Sequence, residues 1–430
     1  AGGYTITPSY PPIIYSPMIN PISGYVPISY TPTVVNTQVI NTGTPINSTT
    51  AAKGFNQNQV FGGDPVNLVT GNFYHAEQDL QIPGRGGLPF VFERTYNSQN
   101  PEDSPLGYGW THSFNHFLKF YGVEDNRVKV SWIDGSGGEK FFSLPGSTVP
   151  NNSPDFENDA GVHVTLKRES NGQYSITQKN GMVYTFASNA GTTADQQSML
   201  LSIKDRNNNQ LTLNYNNSNQ DKLLSITDDL NRSLTLAYAN GGTSQYIESL
   251  TDFSGRQWHY DINAAGDLIE VKTPLAVSGE IAPLTYDYYT NADGQNKAHL
   301  LKRKQSAEGR GMTFEYYANG QVFRHTDDLG HSMKFRYNNF RRETVVTDER
   351  GYAKHHFFDE YGNPVKLVDA DGATESFTYD PAEPLNRLSH TNKAGLKTQY
   401  EYDSNGNGDL IKITQPSGAT IQYSFYNSFH

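Results

Sequence analysis

The feature that most restricts this chain is a beat of 21 to 23 residues running through its C-terminal part. Glycines stand at Gly330, Gly351, Gly372, Gly395 and Gly418, spaced 21, 21, 23 and 23. Aromatic residues keep step at Tyr316, Tyr337, Phe358, Tyr379, Tyr402 and Tyr426, and three of them are followed by Asp: Phe358-Asp359, Tyr379-Asp380 and Tyr402-Asp403. A fixed period of this length is the mark of a repeat architecture. Gly and Asn tolerate the positive φ of tight turns, and Asp closes a turn through its own backbone. The Val, Ile, Leu, Thr, Phe and Tyr between turns are strand formers. One period therefore reads as two antiparallel strands, each roughly 25 Å long at about 3.3 Å per residue. Such a unit cannot bury its face alone, so neighbours must continue one growing sheet.

Upstream, the same style persists in looser form. Tyr215, Tyr238 and Tyr260-Asp261 continue the beat, with turns at Asp205-Arg206-Asn207-Asn208, Asp228-Asp229-Leu230-Asn231 and Asp252-Phe253-Ser254-Gly255. Residues 274–299 stretch the period and predict a longer loop. Residues 151–200 read as hairpins joining the array at 201–430, with Asn-Gly turns at 171–172 and 180–181. Residues 53–150 read as a separate introductory β domain, with strands over 88–94 and 113–120 and a hairpin closed by Asp134-Gly135-Ser136-Gly137-Gly138. Residues 1–52 hold no Asp, Glu, Lys, Arg or His and carry four Tyr-x-Pro steps. Proline this frequent forbids helix and disfavours a central strand, which leaves an extended arm. Having no core of its own, the arm is expected to dock along the body, inside a shell or on a neighbour's sheet edge. The fold class is thus all-β: a strand-rich domain continuing into a curved antiparallel sheet, a partial β-shell, with an extended arm in front.

Charge and composition narrow the function classes. The formal charge is −11, from 33 basic and 44 acidic residues, and no Lys/Arg cluster offers a phosphate footprint, so nucleic acid is not an expected partner. With no cysteine there are no disulfides and no thiolate metal sites. No apolar run approaches the length of a membrane span. The sequence begins with Ala, consistent with a removed leader or a trimmed start.

Two sets of residues resemble a known family. The aromatic-Asp-x-x-Gly-Asn pattern, clearest in Phe358-Asp359-Glu360-Tyr361-Gly362-Asn363, resembles the tyrosine-aspartate (YD) repeats of Rhs proteins, which also occur in teneurins and toxin-complex shells. Ahead of it, Gly63-Asp64-Pro65-Val66-Asn67-Leu68-Val69-Thr70-Gly71-Asn72-Phe73-Tyr74, Leu88–Ser98 and Leu106-Gly107-Tyr108-Gly109-Trp110-Thr111-His112 resemble the domain that precedes those repeats in bacterial Rhs proteins. The resemblance implies a sheet that coils into a hollow container around a C-terminal toxin, with this chain as the N-terminal part of the wall. The family's closing core motif, self-cleaving aspartyl site and variable toxin end do not occur in these residues. The expected partners are the rest of its own shell, other copies of itself, or an enclosed toxin domain, in a secreted or cell-surface setting. The alternative is an extracellular fibre or adhesin whose arm docks on a neighbouring subunit.

Candidate chemistry is sparse. Asp403, Asn405 and Asn407 offer oxygens at alternate positions, like the first half of a calcium loop, but Thr414 stands where the closing Glu belongs. The plainer reading is the repeat's own hairpin turn with two extra residues. His112 and His116 share a face if their segment is a strand, yet two imidazoles without a third ligand more often pack or hydrogen-bond. His355 and His356 are adjacent and point to opposite faces, which argues against shared chelation. Paired carboxylates such as Asp228-Asp229 and Asp327-Asp328 come with any repeat built on Asp turns. Ser254 and Ser417 are turn serines, and no Gly-x-Ser-x-Gly elbow is present. Neither an enzyme nor a cofactor is expected.

Overall fold

The computed structural model describes residues 60–63, 65–159, 161–216, 222–294, 296–404 and 408–424. The chain divides into a unit of residues 1–42 and one of residues 43–430, and every described residue belongs to the second. The uncharged arm and its expected docking lie outside the described residues.

Strands Tyr74–Ile82, Phe90–Asn97 and Trp110–His112 form a three-stranded antiparallel sheet, flanked by the short pairs Phe61–Gly62/Val66–Asn67 and Asp103–Ser104/Gly107–Tyr108. This body, here called the plug, is followed by a single antiparallel sheet of 27 strands, Phe117–Glu124 through Thr420–Gln422. From Val164–Arg168 onward each strand of that sheet pairs with the next along the chain. Ala194–Lys204 is long enough to serve two ladders. Residues 194–199 pair with Phe117–Glu124, while residues 200–204 pair with Val183–Phe186 and Gln210–Tyr215. The sheet is open: Glu157–Asn158, Val164–Arg168 and Thr420–Gln422 are each paired on one side only among the described residues.

The beat is the sheet's own geometry. At one end of the strands, five-residue turns such as Asp327–His331 close with Asp327 N donating to His331 O at 3.0 Å. Asp327 Oδ1 also accepts from Leu329 N and His331 N, each at 2.9 Å, as the Asp-turn reading requires. Gly330, Gly351, Gly372, Gly395 and Gly418 all have φ between 76° and 89°, and a Cβ at any of them would meet only open space. Conformation rather than crowding selects glycine there. The other end carries the YD turns, where Asp359 Oδ1 accepts from Tyr361 N and Asn363 N at 2.9 Å. Asn171-Gly172 and Asn180-Gly181 build the same longer loop, with only the glycine at positive φ, not the two-residue turn their sequence suggests.

At the strand end just before most YD turns the register slips. Slips fall at Asn214/Tyr215, Ala237/Tyr238, Asp287/Tyr288, Glu315/Tyr316, Phe357/Phe358, Thr378/Tyr379 and Glu401/Tyr402. A bulge repeated at one end of a sheet increases twist and bends it. In the looser units the slip at Asp261/Ile262 gives the beat to Ile262, so Tyr260 sits two residues ahead of it. The stretched period holds a helical turn, Pro274–Val277, before Tyr288 resumes the beat.

Bent this way, the sheet winds around the plug until Glu383, Leu385, Gly408 and Asp409 reach Gly161, His163 and Lys179, with Lys179 Nζ donating to Asp409 Oδ1 at 3.2 Å.

Since only conformation selects glycine at these turns, Gly351→Ala is expected to cost about 1–2 kcal/mol, and Gly351→Asn less, because Asn visits the left-handed region. Urea unfolding of the two variants measures this. An Ala variant as stable as the parent would show that the turn does not need positive φ.

Candidate functional site: the inner face of the repeat sheet

Alternation decides which side chains the wall turns inward. Leu211, Leu213, Leu234, Leu236, Trp258, Tyr260, Tyr286, Phe314 and Phe335 are buried, while Thr212, Asn214, Thr235 and Ala237 between them are exposed. The plug supplies the other half of this core. Phe73 lies 4.0 Å from Phe314, Trp110 lies 5.1 Å from Tyr286, and Phe92 lies 6.3 Å from Tyr260, centroid to centroid. Backbone groups join the two parts as well: Val322 N donates to Gly71 O at 3.0 Å, Ile247 N to Pro105 O at 2.8 Å and Tyr108 N to Gly266 O at 2.9 Å. Thr344 Oγ1 donates to Leu68 O.

The beat tyrosines point inward and reach the preceding strand. Tyr238, Tyr316, Tyr337 and Tyr402 donate their hydroxyls to the carbonyls of Leu223, Leu301, Val322 and Arg387, each fifteen residues back, at 2.8–3.1 Å. Each phenol thus buries a ring and satisfies a backbone carbonyl near the bulge. Phe358 keeps the ring without the hydroxyl and is also buried.

At the centre of the plug–wall contact lies an ion pair that the sequence reading did not single out. Arg94 Nε and Nη2 donate to Asp79 Oδ2 and Oδ1 at 2.7 and 2.9 Å, with the two side chains 1% and 3% exposed. The wall completes the site: Tyr260 Oη donates to Asp79 Oδ2 at 2.8 Å, and Arg94 Nη1 donates to Tyr286 Oη at 3.2 Å. Trp110 lies under the guanidinium at 5.3 Å. Burial opposes the Arg94 charge, but the Asp79 carboxylate outweighs it and holds the guanidinium well above its ordinary pKa. Burial likewise keeps the Tyr260 phenol protonated, with Asp79 adding to the effect. Asp79 reaches this position because a slip between Gln78 and Leu80 re-aims it. For Arg94 a signal existed: alternation from Phe90 through Phe92 places it on the buried face.

Past Thr344 the inner face changes character. Alternation and cross-strand partners set Lys354, His356, Glu375 and His390 on the side of Phe358 and Phe377. Lys354 Nζ bonds Asp369 at 3.2 Å, Lys393 bonds the same carboxylate, and His390 Nε2 bonds Glu375 at 3.0 Å while stacking on Phe377. Burial raises the Asp369 pKa, but Lys393 and Lys354 outweigh it and hold the carboxyl below its usual range.

The other candidates sit apart from this network. His116 accepts from Trp132 Nε1 at 3.3 Å and its Nε2 lies 3.1 Å from Ser113 O, while His112 Nδ1 accepts from Phe114 N at 3.3 Å. His355 bonds Glu343 at 2.6 Å on the opposite face from buried His356. Asp403 closes its own turn, accepting from Asp409 N at 3.1 Å, and Asn405 and Asn407 lie outside the described residues. Among the described residues no three His, Asp or Glu side chains gather to hold a metal.

Removing the charge from Arg94 while leaving Asp79 buried is expected to cost about 3–5 kcal/mol, and Arg94→Met combined with Asp79→Leu should recover most of the loss. Urea unfolding of the single and double variants tests this; equal losses in both would refute it. Burial also lowers the pKa of His112 to about 3, of His116 to about 4 and of His356 to about 3. The folded state holds these imidazoles neutral, so their contribution to stability is complete above the ordinary value of 6.5 and is lost as pH falls from there toward about 4 for His116 and about 3 for His112 and His356. Melting temperatures across that range should fall less in His356→Phe than in the parent.

Residues 63–142 match the profile of a domain of unknown function (DUF6531). The chain is 29% identical over 341 residues to the tRNA3(Ser)-specific nuclease WapA of Bacillus spizizenii, covering 73% of this chain and 13% of that protein. It is 23% identical over 372 residues to the probable deoxyribonuclease RhsB of Dickeya dadantii, covering 80% of this chain and 24% of that one. The chain thus spans less than a quarter of the length of these relatives. Among solved structures, it is similar to the TcdB2-TccC3-Cdc42 protein (TM-score 0.35, 10% identity, 82% of this chain and 23% of that one) and to the Photorhabdus luminescens Tc holotoxin pore (TM-score 0.30, 11% identity, 80% and 21%). The tyrosine-aspartate repeats, the matched domain that precedes them and these sequence relatives together support a likeness to the Rhs (YD-repeat) family.

Proposed function

We propose that this chain is a non-enzymatic scaffold, the N-terminal wall of an Rhs-type shell that encloses a toxin for use between bacteria, in a secreted or cell-surface setting. The observation that carries the reading is the division of the inner face. Over Gln210–Asp348 the inward face packs against the plug, and over Ala353–Thr391 the same face mixes Phe358, Leu367 and Phe377 with the charged or ionisable Lys354, Asp369, Glu375 and His390. A face that curves inward yet bears charge suits a lined interior more than a packed one. Nuclease chemistry, which the names of the bacterial relatives attach to those longer proteins, is not assigned to these residues. The turn carboxylates Asp327, Asp359 and Asp403 are engaged with their own backbones. A photo-reactive residue replacing inner-face His390 is expected to cross-link an enclosed passenger in the protein as its cell makes it, whereas one replacing outward Lys366 is not. Equal cross-linking from both positions would sink the container reading.

A second reading, an extracellular structural protein that assembles with its own copies, has one observation in its favour. The glycine-end turns expose apolar side chains: Leu329 is 82% exposed, Tyr352 59% and Leu396 52%. They recur along one edge of the sheet, where another copy could contact them. Sedimentation of the purified chain separates the two, since a fibre subunit grows into open-ended polymers as concentration rises and a wall segment stays discrete.

A further inference from the structure

Later turns of the wall lie against an early part of it. From Val164–Arg168 onward, successive strands are joined by antiparallel ladders in which every second residue pair exchanges backbone hydrogen bonds. Where the coil returns to its beginning, the contact is made by turn tips. Gly161 and His163, just ahead of Val164–Arg168, and Lys179, in the turn between Tyr174–Gln178 and Val183–Phe186, face Glu383, Leu385, Gly408 and Asp409 from the later YD turns.

Two features show that this contact is shaped on both sides. The first is a pair of glycine clefts. A Cβ on Gly161 would lie 2.5 Å from Leu385 Cγ, and a Cβ on Gly408 would lie 2.4 Å from His163 Nε2. A side chain from each edge therefore lies against bare backbone of the other. The second is charge. Lys179 Nζ donates to Asp409 Oδ1 at 3.2 Å, with the side chains 29% and 8% exposed. Glu383 Oε2 stands 3.8 Å from His163 Nε2. Burial and Lys179 push the His163 pKa down, against the pull of Glu383, Asp409 and Asp403 across the seam. At neutral pH the charge contact is therefore the Lys179–Asp409 pair.

We propose that this seam is an electrostatic latch, the line along which the wall parts first. Local opening follows the weakest joints, and a few side-chain contacts at turn tips release more readily than a ladder. The partly exposed Lys179 makes the latch sensitive to salt, unlike the Arg94–Asp79 pair sealed beneath the plug. The meaning given to the opening, access to the interior, rests on the container reading; the latch itself does not.

Hydrogen exchange on the whole chain tests it. In Lys179→Asp, amides of residues 178–183, 380–386 and 408–410 are expected to exchange about fivefold faster or more than in the parent. The swapped variant Lys179→Asp/Asp409→Lys should return them to the parent rate, and raising salt should speed them in the parent. Gly161→Ala should open the same segments by wedging Leu385. Gly330→Ala, with similar φ but open space around it, should leave them unchanged. Seam exchange within twofold of the parent in Lys179→Asp, or no recovery in the swap, overturns the latch. No passenger is involved, so failure here leaves the cross-linking test of the container standing, and the reverse holds as well.

Discussion

A single antiparallel sheet, however many strands it has, presents one apolar face and holds nothing of its own to cover it. This constraint governs the molecule. The YD unit supplies strands, turns and a beat, but its inward Leu, Phe and Tyr side chains need a second layer. Over Gln210–Asp348 the plug is that layer, and over the later units charged side chains join the inner face. Burial of aliphatic and aromatic surface supplies the adhesion between plug and wall, while polar contacts fix the register. Arg94 and Asp79 illustrate the second role. Their isolated burial would be costly, and Tyr260 and Tyr286 from the wall complete the hydrogen bonding only when wall and plug are aligned.

The same logic explains why tyrosine, more than phenylalanine or leucine, marks the beat. A bulge at the strand end disturbs the ladder and endangers a carbonyl beside the core. The hydroxyls of Tyr238, Tyr316, Tyr337 and Tyr402 reach just such carbonyls on the preceding strand. One residue thereby packs the face, satisfies the backbone and braces the bend. Phe358, without a hydroxyl, shows that a single unit can omit the brace within an otherwise regular array.

Much of this was legible in the sequence because it is local. Gly330, Gly351, Gly372, Gly395 and Gly418 sit where the spacing put them, and Asp327 and Asp359 cap the turns their neighbours announce. What escaped was non-local or off by a slip. Tyr260 carries the right dipeptide, Tyr-Asp, yet the slip one residue later gives its place to Ile262 and frees it to reach Asp79. Asp79 is itself displaced by a bulge that no hydrophobic pattern encodes. The meeting of Lys179 with Asp409 depends on how many strands complete a turn of the coil, a quantity set by accumulated twist and bulging along the whole wall. No local motif carries it.

The change in the inner face past Thr344 follows from the same dependence. Within a repeat, the inward position two residues before the beat is free to vary so long as something covers it. Phe314 and Phe335 occupy it under the plug, and His356 and Phe377 occupy it beyond. The position two residues earlier still runs from Met312 and Met333 to Lys354 and Glu375. Turns and beats are unaltered through this transition, so the strands have no need of the change. Under the plug these positions carry hydrocarbon, and beyond Thr344 several of them carry charged groups paired with one another. Lys354 and Lys393 bond Asp369 and His390 bonds Glu375, so the polar groups of that stretch meet partners on the face itself.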